Sequence, residues 1–216
     1  MRITVFGATG NVGTRVVTEA LRRGHDITAA TRAPGRPASL PPGTRHRTGD
    51  AGDIADVIEL STGQDLIISA TRPPAGSETD LVKTTRTLLA GVSRTGVRLI
   101  LVGGAASLTV PGTSTPAIDS PYVSPSYRDI AAACADQLAA CRADPSADWT
   151  YLSPAALLEP GERTGRYRLG TDELLVDATG VSRVSMEDLA VALLDEAERP
   201  RHRRTRFTVA DQHAAA

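Results

Sequence analysis

The chain has 216 residues and a mass of 22.6 kDa, with 41% hydrophobic and 23% charged residues, a net charge of -1 and a pI near 6.4. That is enough chain for one full-sized core, expected as a single domain over 1–216, and it is neither the composition of a disordered protein nor the basic excess of a nucleic-acid binder. Its apolar runs fall well short of the roughly 20 residues that cross a bilayer, and the N-terminus opens as a strand with no apolar signal core. The expectation is a cytoplasmic protein, monomer or homodimer, whose partner is a small molecule rather than a nucleic acid or a membrane.

Strand-like and helix-like runs alternate, which is the pattern of βαβ units. Residues 2–6 read as a strand, 11–24 as a helix ending near Gly24, Ile27–Thr31 as a second strand and, after a surface loop at Ala33–Pro42, Thr44–Thr48 as a third. Asp53–Leu60 reads as a short helix and Asp65–Ala70 as strand four. Thr79–Thr95 is a helix with Leu81, Val82, Leu88, Leu89 and Val92 on its inner stripe, and Val97–Val102 is strand five. These strands should be buried on both faces, as in a central parallel sheet. Residues 103–125 are rich in Gly, Pro, Ser and Thr and too long for an ordinary connection of about 4–6 residues, so they are expected as a functional loop. Ser126–Arg142 is helical, Trp149–Ser153 is strand six, and Arg166–Val176 forms two short strands around the Gly170-Thr171-Asp172 turn. Met186–Glu198 is the last helix, Arg206–Val209 the last strand, and Ala214–Ala216 a frayed tail. The fold class is α/β: a single Rossmann-type doubly wound, mostly parallel sheet with helices on both faces and a small C-terminal substrate-side region. Residues 103–125 and 157–177 form the substrate-side loops.

Between the first strand and the first helix lies Gly7-Ala8-Thr9-Gly10-Asn11-Val12-Gly13. Glycine lets the backbone approach a diphosphate, and the helix N-terminus supplies free N–H groups. The spacing is G-x-x-G-x-x-G rather than G-x-G-x-x-G, but its place at the head of a βαβ unit points to a dinucleotide. Thr9 and Asn11 are the side-chain donors expected at the phosphates. At the end of the second strand, where an acidic residue would accept from the ribose hydroxyls of NAD, stand Thr31 and Arg32. A guanidinium suits a 2′-phosphate, so NADP(H) is favoured over NAD(H). Asp50, after the third strand, either reaches the adenine or caps a turn.

Cys134 and Cys141 lie about 10 Å apart along one helix face, too far for a disulfide, and read as buried structural thiols. The histidines His25, His46, His202 and His213 have no metal-ligand spacing, so no metal is expected. The basic run from Arg199 to Arg206 reads as a solvated connection.

Four blocks carry a family resemblance: Val5-Phe6-Gly7-Ala8-Thr9-Gly10; Val102-Gly103-Gly104-Ala105-Ala106-Ser107-Leu108; Asp148-Trp149-Thr150-Tyr151-Leu152-Ser153-Pro154-Ala155; and Pro160-Gly161-Glu162-Arg163-Thr164-Gly165-Arg166-Tyr167-Arg168-Leu169-Gly170. Over nearly its whole length the chain resembles the atypical short-chain dehydrogenases, in the NADH-flavin reductase branch related to biliverdin reductase B and the NmrA-like proteins. The resemblance implies that Ser69-Ala70-Thr71 and Gly103-Gly104 line the nicotinamide ribose and that Pro154-Ala155 contact the nicotinamide ring. It also puts Arg163, Arg166 and Tyr167 at the substrate mouth, as an anion site or as structural salt bridges. The Tyr-x-x-x-Lys of ordinary members is incomplete: Tyr122 is followed four residues later by Ser126, and Tyr127 by Ala131. Ser107 stands near the serine position, and Ser107 and Tyr127 are the catalytic candidates. A ketone needs an acid for its alkoxide, whereas flavin N5 accepts hydride into a delocalised ring. The expected activity is therefore NAD(P)H-dependent reduction of a flavin or similar planar acceptor, with FMN as substrate rather than bound prosthetic group. The alternatives are a biosynthetic tailoring enzyme (ketoreductase, dehydratase or isomerase) and a non-catalytic NADP(H) sensor.

Overall fold

Ile3, Val5 and Phe6, all fully buried, make β1 (Arg2–Phe6) a central strand. The chain continues through α1 (Asn11–Arg22), β2 (Asp26–Thr31), β3 (Arg45–Thr48), α2 (Ile54–Ser61), β4 (Leu66–Ser69), α3 (Asp80–Thr95) and β5 (Arg98–Val102). It ends with α4 (Arg128–Ala143), β6 (Trp149–Ser153), β7 (Leu157–Glu159), β8 (Tyr167–Gly170), β9 (Arg183–Ser185), α5 (Met186–Glu198) and β10 (Thr205–Asp211). This is a computed structural model describing residues 1–212; His213 and the tail Ala214–Ala216 lie outside the described residues.

Eight strands form one sheet in the order β3-β2-β1-β4-β5-β6-β10-β8, parallel throughout except for the antiparallel pair β8–β10, while β7 and β9 pair in a small parallel sheet of their own. Apolar residues of α1 and α5 cover one face, and those of α2, α3 and α4 cover the other. This is the Rossmann-type doubly wound sheet, whose strand order reverses beside β1. Local chemistry sets the helix ends. Asp53 caps α2 by accepting from the N–H groups of Ala55 and Asp56, Gly96 ends α3 at a φ of 70°, and Ser185 caps α5 by accepting from Asp188 N–H.

Two expectations need correction, and a third holds except at one residue. β3 is not buried on both faces: its Arg45-His46-Arg47-Thr48 is a solvated edge strand, where charge blocks pairing with a further chain. Arg166–Val176 is not a hairpin. β8 pairs with β10, and the returning arm joins the 103–125 loop instead, with Thr109 N–H donating to Asp172 O and Leu174 N–H to Thr109 O. The basic run before β10 is solvated as expected, with Arg199, Arg201, Arg203 and Arg204 all exposed, but its last member, Arg206, lies inside β10 and is buried. Arg206 is buried against Asp172, Arg203 pairs with Asp148, and Glu196 accepts from the N–H groups of Arg201 and His202. The 103–125 loop is itself anchored, because Ala106, Leu108 and Ala117 are buried and Ala117 N–H donates to Leu108 O at 2.7 Å. Among the described residues no helix is long and apolar enough to cross a membrane.

Candidate functional site

The site begins where β1 and β4 end side by side. Gly7 has a φ of 78°, and a Cβ there would lie 2.5 Å from Ala70 O, so only glycine lets the two strand ends meet. A Cβ on Gly13 would fall 2.0 Å from Gly7 O, so that glycine seats α1 directly on the turn. Gly10 is different. A Cβ there meets only Gly7 O, at 3.4 Å, and otherwise projects into open space.

Gly10 is the N-cap of α1, has no side chain to cap the helix, and is followed by no acidic residue in the first turn. The N–H groups of Asn11, Val12 and Gly13 therefore have no acceptor among the described residues. A partial positive charge with free donors and room above a glycine is what a diphosphate requires. Thr14 Oγ1 donates to Gly10 O at 2.9 Å and fixes the turn from behind, while Thr9 and Asn11 are exposed beside it. The residues of the Gly7–Gly13 turn thus fit the diphosphate of a dinucleotide.

Around this cradle, Arg32 follows β2, is exposed, and has no hydrogen-bond or ion-pair partner among the described residues. Asp50 caps its own turn, with its Oδ1 accepting from Gly52 N–H at 2.8 Å. After β4, Ser69 Oγ and Thr71 Oγ1 are 3.0 Å apart, and Ala70 N–H donates to Phe6 O. After β5, packing alone explains two glycines: a Cβ on Gly103 would lie 1.9 Å from the Tyr151 ring, and one on Gly104 would lie 2.8 Å from Cys134 Cβ. Tyr151 is fully buried, donates to Cys134 O at 2.7 Å and accepts from Gly104 N–H at 3.3 Å. Burial pushes its phenol well above the ordinary range. Burial also pushes the Cys134 thiol up to about 11, against the pull of nearby Arg72, and Cys141 to about 12. Both thiols are free and protonated at neutral pH. Pro154 and Ala155, buried just past β6, complete this side.

Of the two catalytic candidates, half-buried Ser107 accepts at its Oγ from Arg206 Nη1 at 2.8 Å, and Tyr127 is 58% exposed at the start of α4. The expected mouth residues separate. Arg163 is bound bidentately to buried Glu19 of α1, at 2.7 and 2.8 Å, and the Tyr167 hydroxyl donates to Asp195 of α5. Gly161 N–H donates to Glu187, and Gly165 N–H to Asp188. The Pro160–Tyr167 segment is thus strapped across α1 and α5, and Arg163 and Tyr167 belong to that strap as structural salt-bridge and hydrogen-bond partners. Arg166 lines a cavity of about 310 Å³ together with Glu159, Arg183 and Asp188. A larger groove of about 960 Å³ runs between α3 and α4.

Sequence reading missed Glu19, Tyr151, Arg206 and Arg72. Nothing in the periodicity of α1 marks Glu19 as buried, whereas Arg72, three residues past a strand end, stood where ligands bind in such sheets. Among the described residues no group of three His, Cys, Asp or Glu side chains could hold a metal ion.

The chain is similar over 98% of its length to the uncharacterized protein YwnB of Bacillus subtilis, at 34% identity and with 99% of that protein covered. Among solved structures, it is similar to one named a "putative epimerase" from Bacteroides thetaiotaomicron, with a TM-score of 0.88, 35% identity and coverage of 100% of this chain and 99% of that one. It is also similar to a "putative NADH-flavin reductase" from Streptococcus pneumoniae, with a TM-score of 0.88, 29% identity and coverage of 98% and 100%. The NAD(P)H-binding family profile matches residues 7–197, from the glycine turn almost to the end of α5. The chain therefore belongs to the NAD(P)H-binding family, in the atypical short-chain dehydrogenase branch that its four sequence blocks resemble.

Proposed function

We propose that this protein is an NAD(P)H-dependent reductase that prefers NADPH and passes hydride to a flavin or similar planar acceptor. The observation that carries the cofactor choice is Arg32: an exposed guanidinium with no partner among the described residues follows β2, where NAD binding would call for a carboxylate. When bound, the nicotinamide supplies hydride. The chain's own residues do the rest. The free N–H groups of α1 hold the diphosphate, Arg32 pairs with the 2′-phosphate, and Ser69, Thr71, Gly103 and Gly104 border the ribose. Pro154 and Ala155 wall off water behind the ring. Ser107 accepts from Arg206 on one of its two lone pairs and has no acceptor for its O–H among the described residues, which leaves that O–H as a donor.

The acceptor follows from what stands near the two tyrosines. The chain has a single lysine, Lys83 on α3, so neither Tyr122 nor Tyr127 is followed by the lysine of the Tyr-x-x-x-Lys that serves alkoxide protonation. A flavin ring takes hydride without that help. The likeness to the Streptococcus pneumoniae protein supports the same reading. The test follows NADPH absorbance with FMN, riboflavin or a quinone; flavin-dependent oxidation faster with NADPH than with NADH is expected, and no oxidation above the blank would refute it. A second reading, a non-redox tailoring reaction, draws on the relative named an epimerase. It would show as product formed on tightly held NADP⁺ with no net change in nicotinamide absorbance.

A further inference from the structure

The glycine turn after β1 is flanked by two cations. The sheet order places β2 on one side of β1 and β4 on the other. Arg32 follows β2 by one residue, Arg72 follows β4 by three, and neither has a hydrogen-bond or ion-pair partner among the described residues. Many other arginines of the chain are matched to carboxylates, among them Arg2 to Asp65, Arg45 to Asp26, Arg128 to Asp119 and Arg203 to Asp148. In a doubly wound sheet the half containing β2 takes the adenosine and the half containing β4 takes the nicotinamide. Arg32 therefore serves the adenosine end, and Arg72 stands on the half where a hydride acceptor has to lie.

Its surroundings point the same way. The Arg72 guanidinium carbon is 6.0 Å from the centroid of the Tyr127 ring. That is the outer limit of a cation–π contact, and it leaves the N–H donors unused. Tyr127 is itself 58% exposed, one of few large apolar side chains left open to solvent. Arg72 thus lies beside an exposed aromatic face and near enough to Cys134, on which Gly104 packs, for its charge to act on that thiol.

We propose that Arg72 and Tyr127 form the recognition wall of the acceptor site, so that the protein selects planar acceptors bearing a phosphate or carboxylate over neutral ones of the same ring. Tyr127 offers a face to the ring, and Arg72 forms charge-assisted hydrogen bonds to the anion. The inference rests on the reductase reading for where the acceptor lies, but it concerns affinity and not turnover.

The test measures binding to the NADP⁺-saturated protein. FMN and riboflavin share one ring system and differ by a phosphate; a naphthoquinone and its sulfonate repeat the comparison on another ring. The wild type is expected to bind the anionic member of a pair about tenfold more tightly, as charged hydrogen bonds of this kind allow. In Arg72→Ala that ratio should fall to near one, and in Arg72→Lys most of it should return. Tyr127→Ala should weaken both members of a pair. Equal affinities in the wild type, an unchanged ratio in Arg72→Ala, or no binding of any of the four compounds would overturn the proposal. So would a loss of NADP⁺ affinity in Arg72→Ala as large as the loss of FMN affinity, which would assign Arg72 to the cofactor. Failure of the reductase reading looks different: the anionic compound binds with the expected ratio while NADPH is not oxidised.

Discussion

A Cβ built on Gly13 would sit 2.0 Å from Gly7 O, whereas one built on Gly10 touches nothing closer than 3.4 Å. The two glycines should therefore fail in different ways when changed to alanine. Gly13→Ala forces α1 off the turn and should cost about 1–3 kcal/mol of stability in urea denaturation, with cofactor binding lost as well. Gly10→Ala should leave the denaturation midpoint within error but weaken cofactor binding, because its methyl occupies diphosphate space. A Gly10→Ala protein with full affinity would show that the diphosphate lies elsewhere. For Arg32→Ala, the KM for NADPH should rise about tenfold or more while that for NADH hardly moves, since a lost charged hydrogen bond is worth about 1.5–3 kcal/mol. Tyr151→Phe removes the hydroxyl that joins Gly104 N–H to Cys134 O and should lower stability by about 1 kcal/mol.

At the level of elements, the Pro160–Tyr167 strap depends on one buried carboxylate. Burial alone would raise the Glu19 pKa, but the guanidinium groups of Arg163 and Arg23 outweigh it and hold the carboxyl at about 2 instead of 4.5. The pKa is lower in the folded state, so the stabilisation is complete above the unfolded value near 4.5 and is lost as pH falls toward 2. It amounts to about 3 kcal/mol at neutral pH. Urea midpoints measured between pH 6 and pH 3 should fall for the wild type, and Glu19→Gln should flatten that fall while lowering the neutral midpoint. Parallel curves for the two proteins would remove Glu19 from the acid transition. This strap was the part of the site least legible in the sequence. Three cations around an aromatic left an anion mouth and structural salt bridges both open, because their partners, Glu19 and Asp195, lie on helices distant in the chain and sit where helical periodicity assigns no special role. The hairpin expected over Arg166–Val176 failed for a related reason: Gly170-Thr171-Asp172 is good turn chemistry, but β10 and Thr109 offered β8 and the returning arm better partners than each other.

For the whole molecule, alternation of buried strands with amphipathic helices was enough to read the doubly wound sheet, because both signals are local in the chain. β1, β6 and α5 formed at their expected bounds, and most other sheet strands and helices within a residue or two. β7 and β9 were not foreseen, being three residues each with one fully buried side chain between them, Val184. The glycine cradle was legible for the same local reason, whereas Arg72 drew no notice because its meaning depends on β4 lying next to β1. The measurement that bears most directly on the proposed activity is stopped-flow oxidation of NADPH by the purified protein with FMN present and with FMN omitted, repeated with NADH and with Arg32→Ala. Saturable, flavin-dependent oxidation that favours NADPH in the wild type and loses that preference in Arg32→Ala is the expected result. Tight NADPH binding with no flavin-dependent oxidation would contradict it.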